Sequence, residues 1–407
     1  MLVTDVAIAG GGLVGLSLGI ALAGAGVKAV VIDREAPAAT TDIAYDGRAS
    51  AIAFGSRQVL AAIGLWDRIA ADAQPILDIR VVEGRSPLFL HYDHREVGAA
   101  PLGWIVENRI LRRALLAGVG ALPDLVHLAP VTVDGVDAEA GGATVRLADG
   151  RRIRAGLVVA ADGKASPLRR AAGIRTLDWS YPQHGIVTTV EHARPHHGAA
   201  IEQFRPSGPF AILPMTGTPT NGNRSSIVWT ERSALVPRLM ALDDAAFEFE
   251  VARRFDGYLG VTRLIGPRFS YPLSVLLAER TVDRRLALVG DAAHVIHPIA
   301  GQGLNLGIRD VAALAEVLVD AHRLGMDLGA PDVLARYQRW RRTDILALAA
   351  VTDGLNRLFS NRVTPLAIAR NIGLGAVERI GPLKRLLMRH AMGTLGDLPR
   401  LARGERL

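Results

Sequence analysis

The sequence predicts an α/β fold in which a domain of alternating strands and helices is discontinuous, because a second, mainly antiparallel sheet is inserted into it. Three observations predict this arrangement. A strand–turn–helix–strand unit of about 30 residues opens the chain. From residue 179 to 272, short strand-like runs alternate with clusters of proline and glycine. Alternation of helix and strand resumes at residue 284 and ends in two long helices and a basic helical tail.

Each element follows from the spacing of its apolar residues. Short apolar runs beside glycine or proline indicate strands over residues 5–9, 28–32, 144–147, 157–160, 185–191, 210–214 and 226–230. Helical spacing indicates helices over residues 13–24, 56–71, 109–122, 243–255, 304–324 and 331–353. We therefore expect a first domain of residues 1–75, 101–178 and 273–345, an inserted domain of residues 76–100 and 179–272, and a basic helical region of residues 346–407.

The first strand ends in a glycine-rich turn that opens the first helix. The turn matches the GxGxxG pattern, in which glycines allow a tight turn, close approach of a pyrophosphate and close helix–strand packing. The helix offers free N–H groups and its positive dipole end to phosphates, and an acid ends the next strand, where it could accept hydrogen bonds from a ribose. We predict a dinucleotide site; the alternative is a glycine-rich turn with an incidental aspartate. The residues assigned to it are Gly10, Gly12, Leu13, Val14, Gly15, Asp33 and Arg34.

Two later segments favour FAD over NAD. Each is an apolar strand that ends at an aspartate beside glycine, at Asp162-Gly163 and Gly290-Asp291. Acids at three strand ends suit a ligand with two sugar-like portions, such as the ribose and ribityl of FAD. A glycine loop then opens a helix and could stabilise negative charge on a reduced flavin. The residues assigned here are Asp162, Gly290, Asp291, Gly301, Gln302, Gly303, Leu304 and Asn305.

Together these segments resemble the class A FAD-dependent monooxygenases, the family of para-hydroxybenzoate hydroxylase. The stretches 46–52, 105–109 and 297–310 resemble more narrowly the hydroxylases of ubiquinone biosynthesis, and the similarity runs from residue 3 to about residue 395. The resemblance implies a Rossmann-like FAD domain with an inserted substrate-binding sheet. It also places Arg48 beside the flavin and Asn108 near its phosphate or ribityl portion, and it includes Arg109 among the cofactor-binding residues. Candidate catalytic residues are Arg48, His297 and Pro298; for His297 the alternative is a core or loop histidine.

The resemblance implies hydroxylation of the aromatic ring of a polyprenylated phenol or quinol precursor. The reaction would use FAD, O2 and NAD(P)H or another electron donor, and would pass through a flavin C4a-hydroperoxide. It also implies a possible complex with other proteins of ubiquinone biosynthesis. Two alternatives stay open: a class A flavoenzyme for a soluble aromatic substrate, such as a phenol hydroxylase, epoxidase or halogenase, and a non-catalytic FAD-holding assembly factor.

The net charge of +7 is concentrated at the C-terminal end of the chain. From Arg357 onward stand ten lysines or arginines and three acids, so this tail carries the whole excess. A basic, leucine-rich amphipathic segment favours an anionic membrane surface, although it could be a solvated helix face. We find no nucleic-acid motif or aromatic platform. No signal peptide or spanning segment is recognised, so we expect a cytoplasmic protein held peripherally at the inner face of the cell membrane.

The composition excludes several kinds of site. The chain has no cysteine, which excludes disulfides, thiolate metal sites and cysteine nucleophiles. Four histidines in two short stretches could be metal ligands, but no acid cluster accompanies them, and loop histidines are the preferred interpretation. These are His91, His94, His196 and His197. We therefore predict no metal site.

Overall fold

The computed structural model describes residues 1–84, 89–218, 222–360 and 364–407. Arg362, one of the basic residues of the tail, lies outside them. The strands of the described residues are, in chain order, β1 (Leu2–Ala9), β2 (Ala29–Ile32), β3 (Ala49–Ala53), β4 (Gln74–Ile76), β5 (Asp78–Glu83), β6 (Phe89–Asp93), β7 (Gly103–Glu107), β8 (Leu125–Leu128), β9 (Val133–Glu139), β10 (Gly142–Leu147), β11 (Arg152–Ala160), β12 (Thr176–His192), β13 (Ala199–Arg205), β14 (Gly208–Met215), β15 (Arg224–Arg232), β16 (Thr262–Leu264), β17 (Phe269–Ala278), β18 (Val282–Asp283), β19 (Leu286–Leu288) and β20 (His294–Val295).

The helices connect these strands and form the C-terminal region. In chain order they are α1 (Leu13–Ala23), α2 (Ile43–Asp46), α3 (Phe54–Ala62), α4 (Asn108–Val119), α5 (Pro167–Ala171), α6 (Val236–Met240), α7 (Asp244–Phe255), α8 (Gln302–Arg323), α9 (Pro331–Phe359), α10 (Thr364–Arg379) and α11 (Gly381–Met392). The α/β fold predicted from the sequence, with its inserted sheet and helical C-terminal region, is confirmed.

The first sheet has a parallel core in the order β19-β11-β1-β2-β8. The inner segments of its strands, such as residues 6–9 and 157–160, are continuously apolar, because α1, α4 and α8 cover one face and a second apolar cluster covers the other. Parallel pairing brings the carboxyl ends of β1, β11 and β19 to one edge of the sheet. Ligands of open α/β sheets bind at this edge, so the fold gathers the predicted dinucleotide residues there.

The second sheet has the order β20-β17-β12-β15-β14-β13-β5-β6 and is antiparallel except where β13 pairs with β5. One face packs against α7 through a core that includes Phe210, Trp229 and Phe247. The other face looks toward the first domain. The division of the chain into domains stays a prediction; β12 and β17 begin and end a few residues beyond its proposed limits, at Thr176 and Ala278.

A small antiparallel sheet, β3-β7-β4, lies between the two domains. Its residues Ala49, Ala51 and Ile105 pack against Ala200 and Met215 of the second sheet. The apolar pattern of the sequence does not indicate it, because its three strands are only three to five residues long. It carries Arg48 at its start and thereby fixes this arginine between the two larger sheets.

The prediction of one helix over residues 56–71 is wrong. Helix α3 ends at Ala62, and Gly64 then adopts a φ of +77°, which a non-glycine residue rarely adopts. Two short 3-10 turns, Trp66–Arg68 and Ala70–Asp72, complete the stretch. The apolar spacing continues through this break because the turns still pack on the same core.

The C-terminal helices are attached to the edge of the second sheet. Arg370 of α10 pairs with Glu83 at the end of β5, and Lys384 of α11 pairs with Glu96 at 2.7 Å and with Glu378 at 2.9 Å. Buried pairs of this kind fix position through geometry rather than through large net stabilisation. Among the described residues no helix is both long enough and apolar enough to cross a membrane.

Candidate active site

The turn after β1 has the backbone geometry that the glycine pattern predicted. Gly10 has a φ of +112°, and an added Cβ there would overlap the carbonyl oxygen of Ala161. An added Cβ at Gly15 would overlap the carbonyl oxygen of Gly10. At Gly12, in contrast, a Cβ would meet no described atom within 4 Å. Gly10 and Gly15 therefore shape the turn, while Gly12 leaves space in front of the helix.

The N-terminus of α1 is free to bind an anion. The helix begins at Leu13, and Gly12 caps it without any side-chain hydrogen bond, so its first N–H groups face the open space. Asp33 lies beside the turn, since a Cβ at Gly11 would overlap its carboxylate. Arg34 points outward with 77% of its side chain exposed. The roles assigned to Asp33 and Arg34 stay predictions.

Asp162 lies next to the glycine turn because β1 and β11 are paired in register. Ala9 pairs with Ala160, so Gly10 and Asp162 follow at the same sheet edge. One carboxylate oxygen of Asp162 accepts a hydrogen bond from the N–H of Leu168 at 3.3 Å. The other oxygen is buried and has no hydrogen-bond partner in the described part of the chain. Burial raises the pKa of Asp162, and hydrogen bonds to its carboxylate oppose the rise.

The Gly290 turn is fixed by a buried ionic network that sequence reasoning missed. The N–H of Gly290 donates to Asp310 Oδ2 at 3.0 Å, and His294 Nε2 lies 2.6 Å from the same oxygen. Arg341 Nε donates to Asp310 Oδ1 at 2.7 Å. Burial tends to raise the pKa of Asp310, but His294 and Arg341 outweigh it and hold this pKa below its usual value. The turn packs on Val14, which joins it to the first glycine motif.

Asp291 belongs to the Gly290 turn, and its side chain is exposed. Desolvation of the carboxyl raises its pKa, whereas the charges of His294, Arg48 and Lys164 oppose the rise. The contact predicted between Asp291 and the cofactor stays a prediction.

The glycine loop before α8 forms a second open helix N-terminus. Gly301 caps the helix with a φ of +62° and no side-chain hydrogen bond, and a Cβ there would come within 2.9 Å of the Ala51 side chain. A Cβ at Gly303 would meet no described atom within 4 Å. The loop thus resembles the first one physically: a constrained glycine sets the backbone, and a second glycine leaves space at the helix end.

Three other predicted residues of this loop have structural contacts. Asn305 is buried, and its side chain accepts from the N–H of Ala53 at 2.9 Å and donates to the carbonyl of Ala51 at 2.8 Å. Gln302 is buried and donates to a carbonyl of α11, and Leu304 packs on the main core. These side chains hold α8 against β3 and α11. A cofactor contact at Asn305 would therefore come from its backbone, because its amide is already satisfied.

Arg48 belongs to a cluster around Asp46. Its guanidinium lies 3.2 Å from Asp46 Oδ2, and Arg112 lies 2.9 Å from the same oxygen. Burial tends to raise the pKa of Asp46, but the two arginines outweigh it and lower this pKa. Asn108 approaches Asp46 at 3.5 Å, and Tyr271 donates to its carbonyl at 2.9 Å. Arg48 also lies over the Tyr271 ring, 5.1 Å from its centroid, and 47% of its side chain is exposed.

Arg109 is engaged in an ion pair rather than extended toward the glycine turn. Its Nε donates to Glu107 at 2.6 Å, and Arg224 of β15 bonds the other oxygen of Glu107 at 2.7 Å. Burial tends to raise the pKa of Glu107, and the two arginines outweigh it and lower this pKa. The ion pair between Glu107 and Arg224 connects the small sheet to the second sheet. A cofactor role for Arg109 stays a prediction.

His297 is a buried, neutral histidine. Its Nδ1 accepts from the N–H of Ile299 at 3.3 Å, while Nε2 has no partner within the described ranges. Burial lowers its pKa to about 4, so the imidazole is uncharged at neutral pH. It packs edge-on against Tyr181, and Pro298 beside it is exposed. This environment opposes acid catalysis by His297 at neutral pH, and catalytic roles for His297 and Pro298 stay predictions.

Three of the four histidines considered as metal ligands bond to neighbouring protein groups. His91 Nε2 lies 2.7 Å from Asp78 Oδ1, and His94 Nδ1 lies 3.0 Å from a backbone carbonyl. His196 Nε2 lies 3.1 Å from the carbonyl of Met215. Across the residues that the structure describes, no group of three or more histidines, aspartates and glutamates could hold a metal ion.

The fold and the two open helix N-termini are typical of a dinucleotide-binding protein. A family model described as an FAD binding domain matches residues 3–350. The ubiquinone hydroxylase UbiL of Rhodospirillum rubrum is 56% identical over 99% of this chain and 93% of that protein. The 3-demethoxyubiquinol 3-hydroxylase of Escherichia coli is 37% identical over 96% of this chain and 98% of that protein. The chain therefore belongs to the family of FAD-dependent monooxygenases that contains the ubiquinone hydroxylases.

A solved structure supports the fold. The p-nitrophenol 4-monooxygenase PnpA of Pseudomonas putida superimposes with a TM-score of 0.80, covering 97% of this chain and all of that one, at 21% identity. The prediction of FAD as the cofactor is confirmed by the family match. The residues present fit FAD: two glycines leave space at helix N-termini, Asp162 has an unpartnered buried oxygen, and Asp291 is exposed at the same edge of the first sheet.

Proposed function

We propose that the protein hydroxylates the aromatic ring of a polyprenylated phenol in ubiquinone biosynthesis, using FAD, O2 and a reduced nicotinamide. The observation that carries this proposal is the row of side chains that the second sheet presents to the first domain. Each member of the row is paired with the next member on the neighbouring strand. Its apolar members are Val81 of β5, Ala211 of β14, Val228 of β15, Val187 of β12 and Phe269 of β17. One further member, on β13, lies between Val81 and Ala211. We call these five the apolar row.

The apolar row suits a lipophilic ring. Val228 lies on a central strand whose other face is covered by a helix, and it nevertheless keeps accessible surface. This surface therefore lines a gap between the second sheet and the first domain. At one end, Phe269 contacts Gly47, next to Arg48, since a Cβ at Gly47 would overlap its ring. Such a wall excludes water and makes favourable contact with a prenylated aromatic substrate.

The chain's own residues would bind and orient the reactants. When bound, FAD supplies the reducing equivalents and the activated oxygen. The open N-terminus of α1 would bind its pyrophosphate, and that of α8 would stabilise negative charge on its ring system. Arg48, held by Asp46 and Tyr271, brings a positive charge to the boundary between the flavin loops and the apolar row. The apolar row would hold the substrate ring against this boundary.

The test is turnover of the FAD-loaded protein with a polyprenyl phenol, NAD(P)H and 18O2. We expect one 18O atom in the ring of the product and reductant consumption that depends on the phenol. Faster hydroxylation of soluble phenols than of prenylated ones would instead support a hydroxylase for soluble aromatics. FAD binding without turnover of any phenol would support an assembly factor. Either result would contradict the proposal.

We also propose that α11 docks on an anionic membrane surface, where such a substrate resides. The helix has an unusual distribution of residues: Lys384 and Met388 are buried, whereas Leu383, Leu386 and Leu387 are 38–53% exposed. Lys384 points inward because Glu96 and Glu378 accept its hydrogen bonds. Exposed arginines stand among and just after the leucines, at positions 385 and 389. An outward apolar face with flanking arginines fits insertion into a bilayer with anionic headgroups.

Serine at positions 383, 386 and 387 is expected to reduce binding to vesicles of anionic phospholipid by at least tenfold. Each leucine that enters the bilayer contributes on the order of 1 kcal/mol, given its partial exposure in the free protein. Flotation with anionic and neutral vesicles measures the effect. The control carries serine at Leu235, Phe249 and Val261, which are 46%, 65% and 82% exposed and lie near α7. Equal loss in both variants, or binding independent of anionic lipid, would refute docking through α11. Unchanged flotation with capture of a biosynthetic protein would assign the face to a protein partner instead.

A further inference from the structure

Glu202 is the member of the row that β13 supplies, and it is the one charged residue among six. It pairs with Ala211 on one side and with Val81 on the other. Its neighbour Ile201 points into the core beneath α7, so alternation along the strand turns Glu202 to the opposite face. A carboxyl therefore stands among apolar side chains on the wall that faces the first domain.

The residues on either side of Glu202 show what it faces. Ala200 shares its face and packs with Ala49 and Ala51 of β3. Phe204, also on this face, packs with Ile299, which lies two residues before Gly301. Strand β3 begins beside Arg48, and Gly301 caps the open N-terminus of α8. Glu202 thus stands between two contacts that each lead to a flavin-binding loop.

The Glu202 side chain is partly buried and keeps accessible surface on the face that the row presents. Burial alone raises the pKa of Glu202 to about 7. In the described part of the chain the carboxyl accepts no hydrogen bond and forms no ion pair. Buried acids normally have such partners, and an acid kept without them in a cleft is typical of functional sites.

Charged groups near this face are already occupied. On β5, Glu83 is paired with Arg370 of α10. On β15, Arg224 is bonded to Glu107 of β7 at 2.7 Å. On β6, burial and Glu378 together raise the pKa of Tyr92 to about 12, so this phenol is neutral; across the gap, Arg48 is bonded to Asp46. No cation of the described elements neutralises Glu202, which leaves its carboxyl available to a ligand.

We propose that Glu202 receives the phenol hydroxyl of the substrate: its carboxylate accepts the hydroxyl's hydrogen bond and removes its proton as the ring is oxygenated. This inference rests on the proposed function. In the proton transfer the phenol O–H bond breaks, the proton passes to a carboxylate oxygen, and the electron pair stays on the phenolate oxygen. The phenolate is the more electron-rich ring, which favours attack on an electrophilic oxygen. Proton return from Glu202 to the oxygen of the product restores the carboxylate.

The apolar surroundings make Glu202 a better base than an ordinary glutamate. With its pKa near 7 instead of 4.5, it is on the order of 10²-fold more basic. It still bears its charge above neutral pH, where it can accept the proton. The surrounding row positions the rest of the substrate, and the carboxylate selects a ring that carries a hydroxyl.

The kinetic test compares the FAD-loaded wild type with Glu202→Gln, which keeps size and hydrogen bonding but cannot take a proton. We expect kcat to fall about 100-fold with little change in FAD content. The wild-type rate should rise with pH through about 7, because the carboxyl must lose its proton, and this rise should be absent in Glu202→Gln. Glu202→Asp should recover part of the rate and the pH dependence. The control is Glu248→Gln, whose amide oxygen can still accept the hydrogen bond from the N–H of Leu264.

The second test measures binding without turnover. A prenylated phenol and its methyl ether are titrated into the FAD-loaded, oxidised protein at pH 8. We expect the wild type to bind the phenol at least tenfold more tightly than the ether, and Glu202→Leu to bind both about equally, because a hydrogen bond to a charged acceptor is lost. Both variants should fold, since no partner of Glu202 is left unsatisfied, and thermal unfolding checks this.

The outcomes separate the two proposals. If the wild type does not hydroxylate a prenylated phenol, the proposed function fails, and the binding ratio still tests Glu202. If the wild type turns over and Glu202→Gln matches it in kcat and pH profile, the assignment of Glu202 fails alone. An unchanged phenol-to-ether ratio in Glu202→Leu would overturn the assignment as well.

Discussion

Aspartate in place of Gly12 is expected to weaken FAD binding by at least about 100-fold, or 2.7 kcal/mol, while the protein stays folded. A Cβ at Gly12 would meet no described atom within 4 Å, and Gly12 has the extended backbone of a helix N-cap (φ −72°, ψ −176°). Aspartate is a favoured N-cap residue, so α1 should gain a few tenths of a kcal/mol. Its carboxylate would occupy the space in front of the helix and repel a pyrophosphate there.

The measurement is FAD retained after purification and the Kd for FAD on reconstitution, together with thermal unfolding of the apoprotein. Ala330→Asp is a matched control, because Ala330 is the uncapped, extended N-cap of α9 and α9 has no predicted cofactor contact. It adds the same charge at the same helix position and should leave FAD binding unchanged. Normal FAD affinity in Gly12→Asp would show that the pyrophosphate does not bind at the N-terminus of α1.

Local signals made the first part of the fold predictable. The strand before Gly10, the glycine turn and the helix after it follow one another directly along the chain. The apolar spacing and the glycine pattern can therefore be recognised together in one short stretch of sequence. The prediction of a helix over residues 56–71 was wrong because the helix ends at Ala62, before the turn at Gly64. The apolar spacing continues across this turn and therefore does not indicate where the helix ends. The small sheet β3-β7-β4 was missed because its pairing joins residues 27 to 58 positions apart, which a local pattern does not carry.

The same limit explains which site residues were missed. The glycine positions of the site can be recognised from the sequence, because the backbone geometry of the turns requires glycine there. The partners of Asp310 are 16, 20 and 31 positions away, and those of Asp46 include Arg112, 66 positions away. Glu202 gave no signal, because its significance depends on which face of β13 looks toward the first domain. These residues acquire their roles through tertiary contacts, whereas the glycines acquire theirs through the turn.

Alanine in place of Asp310 is expected to destabilise the protein by about 3–5 kcal/mol. Asp310 is fully buried, and its removal leaves Arg341, only 5% exposed, without its Nε partner. The loss should fall toward the lower end of this range because Arg341 keeps an ion pair with Asp344 at 2.7 Å. The N–H of Gly290 also loses its acceptor, so we expect weaker retention of FAD in the folded fraction.

Chemical denaturation at pH 7, with and without FAD, measures both effects. Asp137→Ala removes an exposed ion pair with Arg146 and serves as the control, with an expected change below about 1 kcal/mol. The pH dependence has a defined sign. Because the folded-state pKa of Asp310 is lowered, its stabilising contribution is present above the usual aspartate pKa of about 3.9 and is lost as pH falls below it. The wild type and the variant should therefore converge in stability at acidic pH.

A double variant separates two causes of this destabilisation, the uncompensated charge of Arg341 and the cavity left by the aspartate. Asp310→Ala combined with Arg341→Met removes the buried cation together with its partner, and methionine can fill much of the arginine's apolar volume. If the uncompensated charge dominates, the double variant recovers much of the stability lost in Asp310→Ala but not the FAD retention, because Gly290 still lacks its acceptor. If neither property recovers, the cavity left by the aspartate dominates. If FAD retention recovers together with stability, the hydrogen bond to Gly290 does not position the turn, and the role assigned to Asp310 at the site is wrong.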